Sequence, residues 1–189
     1  MYLFFDTETT GLPRNWKAPV HEVNNWPRMV QIAWLLYEDS GKEITGEDFI
    51  IKPEGYSIPA DAAKVHGIST EKAMSEGHDL TMVLQLFAEQ IEKANVLVAH
   101  NISFDEKIVG AEFIRKNIKH SLFKKKQICT MKSSANYCKL PGRYGYKWPN
   151  LSELHIKLFG EDFEEAHDAS VDIEATTKCF WRMKELGII

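Results

Sequence analysis

The sequence predicts an α/β protein built on a mixed five-stranded sheet, its first three strands antiparallel, with helices against both faces. Three observations carry this. Two apolar runs of strand length, free of proline and glycine, open the chain at residues 2–5 and 29–37. Stretches of helical spacing then alternate with short apolar runs, an order that lays helices on a sheet. Finally, 189 residues with 44% hydrophobic content suffice for one domain with a full core, expected to span 1–189.

Each element has its own reason. Residues 2–5 (YLFF) and 29–37 (MVQIAWLLY) are too uniformly apolar to face water and read as buried strands. Residues 42–51 alternate loosely between polar and apolar and stop before Pro53, which suits a third strand after a hairpin around Asp39, Ser40 and Gly41. Helical spacing follows at 57–64 and 80–94; in the second, Leu80, Val83, Leu84, Phe87 and Ile91 share one face. Residues 96–99 give a fourth strand. Ser103 is the expected N-cap of a helix reaching about 117 through Phe104, Ile108, Phe113 and Ile114. A short strand is expected near 127–130. Asn150 then caps a helix with a stripe of Leu151, Leu154, Ile156 and Leu158, ended by Gly160, and the last helix covers about 168–186.

Two stretches lack periodicity: 11–27, with Trp16 and Trp26, and 140–149, with Gly142, Arg143, Tyr144, Gly145 and Lys147. Long loops in compact domains are more often functional than idle, so both are expected to touch substrate. In the second, basic residues flank Tyr144, Tyr146 and Trp148. That mixture suits single-strand binding by phosphate contact and base stacking, or equally a solvated loop anchored by Trp148.

Composition excludes several classes. No apolar run reaches the roughly 18 to 20 residues of a membrane span, and the first residues lack the features of a signal peptide, so a cytoplasmic protein without a membrane partner is expected. Cys129, Cys138 and Cys179 are odd in number and lack CxxC spacing, which argues against both a disulfide framework and a structural zinc site. The net charge of −4 argues against a general nucleic-acid coat protein. Setting four proposed metal-binding carboxylates aside from the 27 acidic residues leaves 23, which equals the 23 lysines and arginines. The excess acidity can thus reside in a site.

Asp6 and Glu8 follow the first strand, and alternation along a strand turns both carboxylates to one face. Alone, this pair reads better as a solvated strand end, since a chain of this length shows roughly one Asp-x-Glu by chance. Thr9, Thr10 and Gly11 follow directly, and such a turn lets backbone N–H groups approach a phosphate. In the segment His100, Asn101, Ile102, Ser103, Phe104, Asp105, a carboxylate enters the first turn of a helix just after a strand. His167 and Asp168 open the last helix, with Asp172 one turn further on. Helix-dipole and capping roles are the competing explanations of Asp105 and Asp168.

Together and in order, DxE, NxxFD and HxxxxD resemble the three exonuclease motifs of the DEDD (DnaQ-like) superfamily, in the branch with histidine in the third motif. Proofreading epsilon-type domains of bacterial DNA polymerase III are similar. The likeness runs from Tyr2 to about Trp181 and implies a ribonuclease H-like fold. It implies that Asp6, Glu8, Asp105 and Asp172 bind metal and that His167 is the general base; the family spacing selects Asp172 over Asp168. It implies further that Thr9, Thr10 and Gly11 cradle the terminal nucleotide with Leu12 as a wedge against its base. His66, within Val65-His66-Gly67-Ile68, either reaches that nucleotide or simply ends a helix. Asn101 and Phe104 support Asp105 and the pocket floor.

The chemistry fits these residue types. Two divalent ions about 3.5–4 Å apart can activate water and stabilise the leaving oxygen of a phosphodiester. Oxygen ligands suit Mg²⁺ or Mn²⁺. Histidine titrates near neutral pH, as a general base should. The expected activity is 3'-to-5' exonucleolytic release of nucleoside 5'-monophosphates from single-stranded DNA or RNA, as a free nuclease or as a polymerase subunit. The competing expectations are an RNA-trimming enzyme, a catalytically silent nucleic-acid-binding domain, and a metal hydrolase of another substrate.

Overall fold

The computed structural model describes residues 1–163 and 168–189. Its central strand is β1 (Tyr2–Thr9), longer than the apolar run because the strand continues through Asp6 and Glu8. In chain order follow β2 (Met29–Tyr37), β3 (Glu43–Ile50), α1 (Ala60–His66), α2 (Thr70–Glu76), α3 (Leu80–Lys93) and β4 (Val96–Ala99). Then come α4 (Ile102–Arg115), β5 (Lys126–Cys129), α5 (Thr130–Ser133), α6 (Ala135–Cys138), β6 (Pro141–Gly142), β7 (Gly145–Tyr146), α7 (Leu151–Phe159) and α8 (Ala169–Glu185).

The main sheet has the order β3-β2-β1-β4-β5, with β2 antiparallel to both of its neighbours, β1 and β3, while β4 pairs parallel with β1 and β5 parallel with β4. This is the mixed sheet expected. The parallel pairing of β1 with β4 demands a crossover, which α1 to α3 help to supply. A register shift between Glu8 and Thr9 marks a bulge where β1 leaves the ladder with β2. Bulges re-aim side chains, and this one sits beside the acidic pair.

Helices cover both faces. Phe5 meets Phe87 of α3 at 5.4 Å between ring centroids, while its neighbour Phe4 meets Phe180 of α8 at 5.0 Å. Neighbouring strand residues point to opposite faces, so α3 and α8 lie on opposite sides of the sheet. Lys184 at the end of α8 donates to the Tyr2 hydroxyl, so α8 runs antiparallel to β1. Among the described residues no helix is long and apolar enough to cross a membrane.

Several local expectations change. The first helix begins at Ala60 rather than Ser57, since Pro59 takes the extended N-cap position and the residue before a proline is steered away from helix. Helix α2 was not expected; its Ser69 cap accepts from the Lys72 N–H at 3.1 Å. The cap of α4 is Asn101, not Ser103, which lies inside the first turn. Asn101 sits in the left-handed region at φ 71°, which asparagine tolerates better than most residues. Asn150 does cap α7 in a full capping box, but Ile156 is 46% exposed and does not belong to the buried stripe. Residues 140–149 contain the β6–β7 hairpin. Trp26 is buried in the main core, so it is no substrate contact.

Candidate active site

The carboxylates of Asp6, Glu8 and Asp172 each offer an oxygen within 4.8 Å of the others. The fold explains this meeting. Phe4, Asp6 and Glu8 share one face of β1, and residues 172, 176 and 180 share one face of α8. Four strand residues advance about 13 Å and eight helical residues about 12 Å, so the Phe4–Phe180 contact at one end carries Asp172 to Glu8 at the other. An antiparallel strand and helix of matched length thus bring together residues far apart in the chain.

Asp105 approaches from α4. It is buried, and its Oδ1 accepts the Thr7 hydroxyl at 2.8 Å. It lies outside the 4.8 Å group, yet its charge acts on Asp6. Asp168 takes another role. As N-cap of α8 it accepts from the Ser170 N–H at 2.9 Å and the Ser170 hydroxyl at 2.5 Å, and from Gln31 Nε2 at 3.4 Å. His167 lies outside the described residues.

The electrostatics follow from burial and like charge. Burial and then the fields of Asp105, Asp172 and Glu8 hold Asp6 well above the usual carboxylate range. Glu8 is pushed up to about 8, first by burial and then by Asp172 and Asp105. Asp105 rises to about 7, chiefly by burial and against the hydrogen bonds it accepts from Thr7. Burial disfavours ionisation of Asp168 too, but hydrogen bonds from Ser170 and Gln31 outweigh it and keep that group low. A cluster of hard oxygens that repel one another in a low-dielectric setting fits a divalent cation, which would relieve both the burial and the repulsion.

Beside the cluster lies a pocket of about 430 Å³ lined by Glu8, Thr9, Thr10, Gly11, Leu12 and His66, with Phe104 on its wall. This is within the range of small-ligand sites. Gly11, at φ 142°, holds a conformation that side chains rarely adopt, and the Thr9 hydroxyl donates to its carbonyl at 2.7 Å. Thr10 is tied to Arg28 by two bonds, N–H to carbonyl at 2.9 Å and hydroxyl accepting from N–H at 3.0 Å. Leu12 is 73% exposed at the lip. His66 ends α1 and is buried; Nδ1 accepts from the Ile68 N–H at 3.2 Å. Burial lowers its pKa from the usual imidazole value, against an interaction with the Thr9 backbone that raises it. Asn101 Oδ1 accepts the Ser103 hydroxyl at 3.2 Å. The Phe104 ring lies 5.6 Å from Trp16.

Sequence reasoning missed the supports. Thr7 orients Asp105, and Gln31, which pairs with Glu8 across the β1–β2 ladder, links Asp168 to Asp48. Gln31 was detectable as the lone polar residue in MVQIAWLLY. Glu112 of α4 is fully buried; its Oε1 accepts from Arg28 Nε at 2.8 Å and the Met29 N–H at 3.0 Å, with Arg115 Nη1 at 2.9 Å. Through Arg28 this cluster reaches the Thr10 turn.

Comparison with known proteins bears on the family and the fold. A DNA polymerase III of the PolC type from Streptococcus pneumoniae is 33% identical over 178 residues, covering 93% of this chain and 10% of that protein. Its counterpart from Streptococcus thermophilus is 32% identical over 175 residues, again 93% of this chain and 10% of the other. The chain therefore spans about a tenth of the curated relatives it matches. Escherichia coli exonuclease I, solved with a dA16 oligonucleotide, superposes with a TM-score of 0.75 at 20% identity, over 97% of this chain and 40% of that one. That likeness speaks to the fold. The exonuclease family model matches residues 3–180, and with an alignment to the PolC-type polymerases over nearly the whole length, the chain belongs to the DnaQ-like DEDD exonuclease superfamily.

Proposed function

We propose that this chain is a metal-dependent 3'-to-5' exonuclease that releases nucleoside 5'-monophosphates one at a time from a free 3' end. The observation that carries the proposal is the convergence of Asp6, Glu8 and Asp172 beside a nucleotide-sized pocket. In this reading residues 1–189 act as one exonuclease unit. The PolC-type relatives favour DNA as the polymer and a polymerase as the working context.

Exonucleases of this family generally use divalent metals, and the all-oxygen donor set favours a pair of Mg²⁺ or Mn²⁺ ions. Bound there, they would neutralise phosphate charge and make water a better nucleophile. Asp6, Glu8 and Asp172 would hold them, and Thr7 aims Asp105 for the same task. His167, whose intrinsic pKa lies near 6.5, would accept the proton that the attacking water loses. Thr9, Thr10 and Gly11 present backbone to the terminal nucleotide while Leu12 wedges its base. His66 forms part of the pocket wall.

The test is direct. The protein is incubated with Mg²⁺ or Mn²⁺ and 5'-labelled single-stranded DNA or RNA. The expected result is a ladder shortened from the 3' end with mononucleotide products. No ladder on either polymer overturns the proposal.

A further inference from the structure

We propose that the β6–β7 hairpin is a stacking arm for single-stranded nucleic acid, holding the strand upstream of the nucleotide being removed. This rests on the exonuclease reading for the placement of the strand end, but its own support lies outside the carboxylate cluster. Tyr144 at the hairpin tip is 89% exposed and Trp148 at its base 58% exposed, an arrangement that leaves ring faces open to solvent. Cations already lie over both: the Arg143 guanidinium is 5.1 Å from the Tyr144 ring centroid and Lys132 Nζ is 5.5 Å from that of Trp148. Paired aromatic faces and cations suit unstacked bases joined by phosphates.

Charge complementarity points the same way. Residues 113–152 contain no Asp or Glu, although the chain as a whole carries −4. The hairpin lies within this acid-free stretch, and the acid against its base, Glu153, is paired with Lys147. Placement agrees too. His100, directly after β4, sits between Thr130 Oγ1 at 2.9 Å and the Pro149 carbonyl at 3.1 Å. The hairpin is thereby pinned at the carboxyl end of β4, the strand parallel to β1, whose own carboxyl end carries Glu8. Arm and cluster stand at the same edge of the sheet. A duplex would hide its base faces, so the partner is single-stranded.

The test compares wild type, Tyr144→Ala, Tyr144→Phe and Arg143→Glu on two substrates. One is (dT)16 and the other thymidine 5'-(p-nitrophenyl phosphate), which has no upstream nucleotide. Tyr144→Ala and Arg143→Glu are expected to raise KM for (dT)16 about tenfold with kcat held within twofold, and to leave hydrolysis of the nitrophenyl ester within twofold. Tyr144→Phe is expected to keep the wild-type KM, since a phenyl ring stacks. Unchanged KM in Tyr144→Ala, an equal loss on both substrates, or failure of Tyr144→Phe to retain the wild-type value overturns the stacking arm. Should wild type cleave neither substrate, the choice of DNA as the polymer fails separately, and a missing ladder on RNA as well overturns the exonuclease reading. Fluorescence anisotropy of labelled (dT)16 in Ca²⁺ then still decides: binding about tenfold weaker in Tyr144→Ala supports the arm, and equal binding overturns it.

Discussion

The Thr7 hydroxyl donates to Asp105 Oδ1 across 2.8 Å, joining the central strand to the first turn of α4 in a buried setting. Because this bond favours the ionised carboxylate, it works against the burial that raises the Asp105 pKa to about 7. Thr7→Val keeps the shape and removes the donor. The Asp105 pKa then rises further, so the acid limb of the pH–rate profile moves to higher pH and kcat/KM at pH 7 falls about tenfold, the worth of a hydrogen bond to a charged group. A profile superimposable on wild type contradicts this role.

Stability should depend on pH in an unusual sense when no divalent ion is present. Asp6, Glu8 and Asp105 have native pKa values above those of the unfolded chain, Glu8 at about 8 and Asp105 at about 7. The native state therefore holds protons that the unfolded state has released. Their stabilisation is complete below the ordinary carboxylate range and is lost as pH rises through 7 and 8. His66 and His100 are depressed by burial and act only below about pH 6.5, outside this window. Thermal melts in chelator are expected to show Tm falling from pH 6.5 to 8.5, with Mn²⁺ restoring it at the upper end. A flat or rising Tm in chelator contradicts the clustered charge.

Glu112 joins Arg28, Arg115 and the Met29 N–H in the interior. Arg115 also donates to the carbonyls of Val23 at 2.6 Å and Trp26 at 2.8 Å, fastening the loop before β2 to α4. Removing one partner of a buried ion pair leaves the others uncompensated. Glu112→Ala is expected to cost about 3–5 kcal/mol in denaturant unfolding. A loss within about 1 kcal/mol would show that the arginines find water instead.

Asp168 and its neighbour in sequence, His167, should separate cleanly. Asp168 is a cap, so Asp168→Ala is expected to cost about 1 kcal/mol of stability and to leave kcat within a few fold. His167→Ala is expected to keep the melting temperature and to lower kcat at least about 10²-fold, with wild-type activity rising between pH 6 and 8. Activity of His167→Ala within twofold of wild type removes it from the mechanism.

Legibility in the sequence followed the range of the forces involved. Periodicity exposed α3, whose apolar face is contiguous, and both buried strands, because an uninterrupted apolar run has no other use. It missed α2, which is seven residues long and has little apolar face to read. The resemblance to the exonuclease motifs, not periodicity, implied that Asp6, Glu8 and Asp172 form one set. It said nothing of why they meet, because that depends on the Phe4–Phe180 contact and the antiparallel run of α8 along β1. Thr7 and Glu112 were invisible for a related reason. Each is an ordinary polar residue whose role exists only through partners 98 and 84 positions away. Ser103 was expected as the cap of α4 in place of Asn101 because serine is a common side-chain cap, whereas Asn101 takes the cap position in a left-handed conformation without a side-chain cap bond.

The central claim is that the Asp6, Glu8 and Asp172 cluster performs divalent-ion-dependent hydrolysis at a 3' end. It is tested most directly by the rate of mononucleotide release from 5'-labelled single-stranded DNA, measured in Mn²⁺ for wild type and Asp6→Asn. The expected result is a 3'-shortened ladder with wild type, abolished by chelator, and a rate lower by more than about 10²-fold in the folded Asp6→Asn protein. Release by Asp6→Asn at the wild-type rate contradicts the claim.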